Sequence, residues 1–377
     1  MNKNKFKKIP VFDISIGQQE KDFIKDCLDT SFVGQGPYVK EFENKFSNFV
    51  SCKHGITTTS GTTALHLALR TVGVSDGDEV LVSSSTNMAC AFSIVYCNAK
   101  PVPIDIHKET WQMDTSLIEK KINKKTKAIM VVHLFGQAVD MDPVMQIAKK
   151  HNLKVIEDCA ESHGVEYKGK KVGSIGDVGA FSFFSNKTIT CGEGGMVTTN
   201  SEELAIKARG FKNLCYGKEN KFIHEDIGFN YRLPNVSAAM GLGQFNQISE
   251  IFRQKERIDK RYRNNLKNIK GLNIPAIDKN TNKYIMWVFN LYLDENFGIS
   301  RDELTKKLKE INIDTRDAFV PINMQKILQK NSDIKENDCP NANFIMKNGF
   351  YIPSGNTISN EDIDYVSEKI IKLKKNN

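Results

Sequence analysis

The sequence predicts an α/β fold built on a central, mostly parallel sheet, followed by a smaller α+β region toward the C-terminus. Three observations lead there. Short apolar runs alternate with helix-period stretches through the first two thirds of the chain. Those runs are continuous rather than alternating, as strands covered on both faces require. After about residue 240 the texture shifts to long, highly charged helical stretches. At 377 residues, a prior of roughly one domain per 150 residues gives two domains. Their expected spans are residues 1–245 and 246–377.

Taken in order, residues 80–82 predict a strand and 89–97 a helix. Residues 101–106 (PVPIDI) return as a short strand, 128–135 (AIMVVHLF) as a buried one, and 141–151 as a helix. Residues 153–158 (LKVIED) and 178–184 (VGAFSFF) add two more strands. Farther on, the charged stretch 245–269 predicts a long helix that could link the domains. Residues 284–293 (YIMWVFNLYL) predict a strand, and 301–312 and 361–374 amphipathic helices. The polar stretch 330–343 is expected to be a surface loop. No internal repeat is evident.

Composition narrows the function. Apolar residues make up 40% and charged residues 26%, an ordinary globular balance. The net charge of +8 suits an anionic substrate, or solubility alone. Nucleic acid is not expected, because the basic residues are scattered without interleaved aromatics. The basic start MNKNKFKK leads into no apolar segment, so no secretory signal is expected. No run of about 18 apolar residues predicts a membrane span. Eight cysteines occur without any C-x-x-C pair, which points to a reduced, cytoplasmic setting. The seven histidines lack H-x-x-x-H or H-E-x-x-H spacing, so no metal site is expected.

In an open parallel sheet, ligands bind beyond the carboxyl ends of the strands. Three strand-to-helix loops therefore matter. In TTTSGTTALHLAL, at 57–69, Ser60, Gly61 and Thr62 mark a loop becoming a helix. Free N–H groups there make an anion site, although Ser and Thr also favour a plain N-cap. In VIEDCAESHG, at 155–164, a buried strand ends in Glu157 and Asp158, with Glu161 one turn on. Such acids call for a cation or bound group, or serve the first turn of a helix. In FSFFSNKTITCGEGGM, at 181–196, Lys187 follows an aromatic strand. Desolvation there would favour the neutral amine needed for imine formation; the plain alternative is a surface lysine. Together, a phosphate cradle, a strand-end acid and a later lysine match the needs of pyridoxal 5'-phosphate.

The wording of these motifs, with VGQGPYVKEFE at 33–43, VVHLFGQ at 131–137, IGFNYRLPNVSAA at 227–239 and TRDAFVP at 315–321, is specific. Over nearly its whole length the chain resembles the sugar aminotransferases of the DegT/DnrJ/EryC1/StrS family. These have the PLP-transferase (aspartate aminotransferase, type I) fold. The resemblance implies that Lys187 is the Schiff-base lysine and proton shuttle and that Asp158 pairs with the pyridine nitrogen. It puts Glu161 near the ring hydroxyl and Gly61, Thr62 and Ser182 at the phosphate. Asn87 stands where the family commonly has an aromatic residue stacked on the cofactor ring. Asn230 would reach the phosphate of the neighbouring subunit's cofactor, which implies a homodimer with a shared active site. Arg232, in the same motif, would share that role or be structural, and Arg316 would line the substrate site.

The resemblance further implies L-glutamate as amino donor and a keto sugar nucleotide as acceptor. The wording is most similar to members that aminate C4 of a GDP-4-keto-6-deoxymannose-like sugar, in surface polysaccharide biosynthesis. Asn87 motivates a second acceptor class, a smaller phosphorylated ketone such as a triose phosphate. A sugar dehydratase of the same superfamily would tend to replace Lys187 with histidine, and a regulator would need an appended binding module. Trp111 and Trp287 are expected to be core or interface packing, and Cys159 and Cys191 buried fillers. His133 and His163 fall near the inferred site without a fixed duty.

Overall fold

The computed structural model describes residues 8–374 except 218, 221, 225 and 331. Most of the basic start, residues 1–7, and residues 375–377 lie outside the described residues.

Seven strands form the central sheet: β1 (His54–Thr58), β2 (Glu79–Ser83), β3 (Lys100–Ile104), β4 (Thr126–Val132), β5 (Lys154–Asp158), β6 (Val178–Ser182) and β7 (Gly195–Thr199). The spatial order is β1-β7-β6-β5-β4-β2-β3. From β6 to β3 every pairing is parallel, while β7 runs antiparallel to both its neighbours. The helices that cover this sheet and lead out of it are α1 (Gln18–Asp29), α2 (Pro37–Phe49), α3 (Gly61–Thr71), α4 (Ala89–Tyr96), α5 (Met141–His151), α6 (Glu202–Lys212), α7 (Asn235–Asn246) and α8 (Ile248–Leu266).

The continuous apolar runs have a simple origin. Val80, Val82, Met130 and Val132 join the apolar cluster of α3, α4 and α6. Their neighbours Leu81, Ile129 and Val131 join the cluster of α2, α5 and α7 on the other face. A strand turns successive side chains to opposite faces, so two covered faces demand an unbroken run. The strands β1 and β7 escaped the sequence reading because HGITT and GMVTT are short and rich in Gly and Thr.

A second sheet of four strands, β8 (Leu272–Asn273), β9 (Phe289–Leu293), β10 (Arg316–Asp317) and β11 (Gly349–Ile352), has the order β8-β9-β11-β10 and is antiparallel throughout. Helix Asn360–Leu373 and α8 pack on it. The chain passes between the two bodies more than once. Ile9 bridges to Ile313 and joins the cluster of the small sheet, whereas Ile322, Leu328 and Ile345 join a cluster of the large one.

Three expectations need correction, the first being the strand foreseen over 128–135, which ends at Val132. The strand foreseen over 284–293 exists only at Phe289–Leu293. Upstream, the Trp287 carbonyl is taken by a side-chain amine and the Phe289 N–H by the Ser354 hydroxyl, so the ladder cannot extend. The loop foreseen over 330–343 stops early, because Pro340 opens a helix, Pro340–Asn348. The Asp105 carboxylate, just after β3 and distant along the chain, accepts from the N–H groups of Asn341 (3.0 Å) and Ala342 (2.9 Å). It thereby caps that helix as a local residue would. Among the described residues no helix is long and apolar enough to cross a membrane.

Candidate active site

A cavity of about 500 Å³ opens beyond the carboxyl ends of β5 and β6, against the N-terminus of α3. The alternation of β5 divides its two terminal acids. Glu157 turns away from the cavity and is fully buried. Its carboxylate accepts from the N–H groups of Gly173 (2.9 Å), Ile175 (2.7 Å) and Gly176 (2.7 Å). His133 Nε2 lies 3.0 Å from the same carboxylate, while His133 Nδ1 accepts from the Val139 N–H. The imidazole proton therefore sits on Nε2, donated to Glu157. With buried Cys159 these groups form a compact cluster, but the donors already satisfy Glu157, which fastens the 173–176 turn to β5.

Asp158 faces the cavity. One carboxylate oxygen accepts from the Ala160 N–H (2.9 Å) and the other from the Cys90 thiol (2.9 Å). The carboxylate is thus oriented before anything binds to it.

Lys187 follows β6 through a tight turn, its N–H donating to the Phe184 carbonyl. Its Nζ lies 3.5 Å from Glu161 Oε1 and 4.0 Å from the centre of the Trp287 ring. Burial pushes the Glu161 carboxyl up to about 7, against the pull of the Lys187 charge. Its other oxygen accepts from the Phe135 N–H (3.1 Å). The Trp287 indole N–H donates to the Asn186 carbonyl (2.8 Å), and Phe319 and Tyr351 continue this aromatic wall.

At the third corner, Ser60 caps α3, its hydroxyl accepting from the Thr63 N–H. The first-turn N–H groups of Gly61 and Thr62 have no intrahelical partner and, with the helix dipole, favour an anion. A Cβ on Gly61 would lie 2.6 Å from the Ser182 Cβ. Only glycine lets the helix end and the β6 hydroxyl converge on one small volume.

These features fit pyridoxal phosphate: an anion cradle, an oriented carboxylate and a lysine amine share one cavity with an aromatic flank. The sequence profile of the DegT/DnrJ/EryC1/StrS aminotransferase family matches residues 14–371. The chain belongs to this family. It is a pyridoxal-phosphate-dependent aminotransferase. Over 365 residues it is 39% identical to GDP-perosamine synthase of Escherichia coli O157:H7, covering 97% of this chain and 98% of that protein. Among solved structures, S. venezuelae DesV in complex with a ketimine intermediate has a TM-score of 0.90 and 29% identity, covering 97% of this chain and 98% of that one. The PLP-form of Spr1654 from Streptococcus pneumoniae has a TM-score of 0.91 and 25% identity, covering 97% and 98%.

In this aminotransferase Gly61, Thr62, Asn87, Asp158, Glu161, Ser182 and Lys187 all line one cavity. Asn87 is engaged locally, its Oδ1 accepting from the Ala89 N–H (2.9 Å) at the start of α4. Two expected residues lie elsewhere. Asn230 is exposed, outside the cavity wall, and forms a bridge to Asn213; Arg232 donates to the Asn213 side chain. Arg316 is exposed on β10, where it stands opposite Tyr351, and its guanidinium donates to the Thr315 carbonyl. The backbone pairing thus brings Arg316 beside a cavity-wall residue without adding it to that wall.

Trp111 is core, edge-on to Phe135 at 5.5 Å. His163 is buried among Phe46, Phe181 and Phe183, and burial lowers its pKa to about 3. Cys159 and Cys191 are buried thiols. Trp287 is buried in the core, as expected, and also forms the wall beside Lys187. Cys90 and Phe135, which hold Asp158 and Glu161, went unnoticed in the sequence. A thiol in an apolar helix and a phenylalanine at a strand end carry no local mark of such duties.

Proposed function

We propose that this aminotransferase moves the amino group of L-glutamate to a keto sugar nucleotide. The acceptor resembles GDP-4-keto-6-deoxymannose and yields a 4-amino sugar for surface polysaccharide. The observation that carries the chemistry is the placement of Lys187, Asp158 and the α3 N-terminus around one cavity. The acceptor is supported by the 39% identity to a GDP-perosamine synthase over nearly the full chain.

Bound there, pyridoxal phosphate supplies an aldehyde for an amine and a ring that takes up electrons. The residues of the chain do the rest. The N–H groups of Gly61 and Thr62 and the Ser182 hydroxyl hold the phosphate. Asp158, oriented by Cys90 and Ala160, keeps a proton on the pyridine nitrogen. Lys187 Nζ would move a proton to and from the α-carbon of the donor. Glu161, 3.5 Å away, holds that nitrogen in place and exchanges charge with it. Trp287, Phe319 and Tyr351 exclude water from this side.

A homodimer belongs to this reading, with Asn230 completing the neighbouring subunit's phosphate site. Its exposure outside its own cavity, beside the exposed apolar residues Phe222, Ile223 and Ile227, supports that role. A cytoplasmic setting also belongs to it, in keeping with eight free thiols. Asn87 favours a second reading, in which a polar side chain over the ring suits a smaller phosphorylated ketone. The test is an acceptor panel with glutamate as donor and 2-oxoglutarate as readout. GDP-, UDP- and dTDP-linked keto sugars are compared with small keto phosphates. Turnover is expected with a GDP-linked keto sugar; exclusive use of the small ketones would overturn the sugar assignment.

A further inference from the structure

A second lysine stands behind the aromatic wall of the active site. Lys255, in α8, is only 5% exposed. Its Nζ donates to two backbone carbonyls, those of Trp287 and Ser354, each at 2.8 Å. Both acceptors are neutral, and burial alone lowers the Lys255 pKa, to about 7. An amine in such an interior is costly where a methionine would pack without penalty. What it holds explains its presence.

The Trp287 segment has no strand to support it, because the β9 ladder begins only at Phe289. Three side-chain contacts fix it instead. Lys255 holds the Trp287 carbonyl, the Ser354 hydroxyl accepts from the Phe289 N–H (2.9 Å), and the indole N–H donates to the Asn186 carbonyl (2.8 Å). Lys255 joins two of the three, since it also binds the Ser354 carbonyl. The ring so fixed lies 4.0 Å from Lys187 Nζ, and an indole face favours a cation placed over it.

We propose that Lys255 is a positioning residue for the transamination reaction: it anchors the backbone of Trp287 so that the indole face is kept against the Lys187 nitrogen. Lys255 touches neither cofactor nor substrate and acts through Trp287. The proposal rests on the reading of Lys187 as the cofactor-linked lysine.

The test is a pH titration of cofactor absorbance in the holoenzyme without substrate. The absorbance reports protonation of the nitrogen that links Lys187 to the cofactor. Lys255→Met keeps most of the unbranched stem, ends one atom short of Nζ and removes both hydrogen bonds. With the indole released, the protonated form loses support, and the midpoint falls by about half a pH unit or more. Trp287→Leu lowers the midpoint by a similar amount, and Lys255→Met added to it produces no further fall. A folded, cofactor-loaded Lys255→Met with the wild-type midpoint overturns the proposal, and so do shifts that add in the double variant. If Lys255→Met does not fold, Lys255→Gln, too short to reach both carbonyls, is read in the same way. Cofactor absorbance that is the same in Lys187→Ala as in the wild type would refute the Lys187 reading instead.

Discussion

Glu161 shows how one buried carboxyl writes itself into the pH dependence of the molecule. Burial raises its pKa from 4.5 to about 7, so the folded protein holds a proton that the unfolded chain has already released. Its contribution is complete below about 4.5 and is lost as pH rises through about 7. The loss amounts to roughly 3 kcal/mol. Glu161→Gln has no proton to lose and keeps an oxygen for the Phe135 N–H. In urea unfolding of the cofactor-free protein, the variant should therefore gain roughly 3 kcal/mol on wild type between pH 4.5 and pH 8. Parallel pH profiles for the two proteins would show that the carboxyl is ionised throughout. At the same scale, strand alternation decides which acid serves the cavity. Glu157 and Asp158 are adjacent and chemically alike, yet one fastens a turn and the other faces the site. The period-2 rule was legible in the sequence, but which face carried the cavity was not.

At the level of elements, the end of β4 is the joint on which the aromatic wall hangs. The expected strand through Phe135 breaks after Val132, and both Phe135 (φ 54°) and Gly136 (φ 88°) adopt left-handed backbone. This turn aims the Phe135 N–H at Glu161 and stacks its ring on Trp287 and Phe319, each at 5.9 Å. A Cβ on Gly136 would lie 2.0 Å from the Ile285 carbonyl oxygen, a backbone atom with nowhere to go. Gly136→Ala should therefore cost at least about 2 kcal/mol, from left-handed strain plus the clash. Cofactor binding should weaken with it, since both Glu161 and Trp287 depend on the joint. An unchanged urea midpoint would show that the two segments separate freely. Helix starts behave differently. Ser60 before Gly61 was legible because its cap is local, whereas the start at Pro340 was not, because its capping carboxylate, Asp105, comes from a distant loop.

Across the whole molecule, the proposed site is complete only if a second subunit supplies Asn230. Lys187→Ala should lose activity by roughly 10²–10⁴-fold, as loss of a proton shuttle does, and Asn230→Ala should lose it through weaker phosphate binding. Co-expression of the two variants with different tags should yield mixed dimers in which one of the two sites regains both residues. Activity in the doubly purified species should then far exceed that of either parent. If it stays at the parents' level, each subunit works alone and Asn230 serves its own fold. The proposed interface was read from the wording of the motif at 227–239 and not from periodicity, because it would depend on exposed residues of two copies.

The sequence by itself determined the alternation of strand and helix, the loops that carry phosphate, acid and lysine chemistry, and the family wording across them. Such signals are local: they follow from backbone preference, side-chain period and short motifs. Tertiary structure alone decided that Trp287 meets Lys187, that Cys90 steadies Asp158, that Asp105 opens a distant helix, and that Lys255 stands behind the site. Each of those contacts joins residues far apart along the chain. They form only once packing of the whole molecule has met the entropy of bringing those segments together.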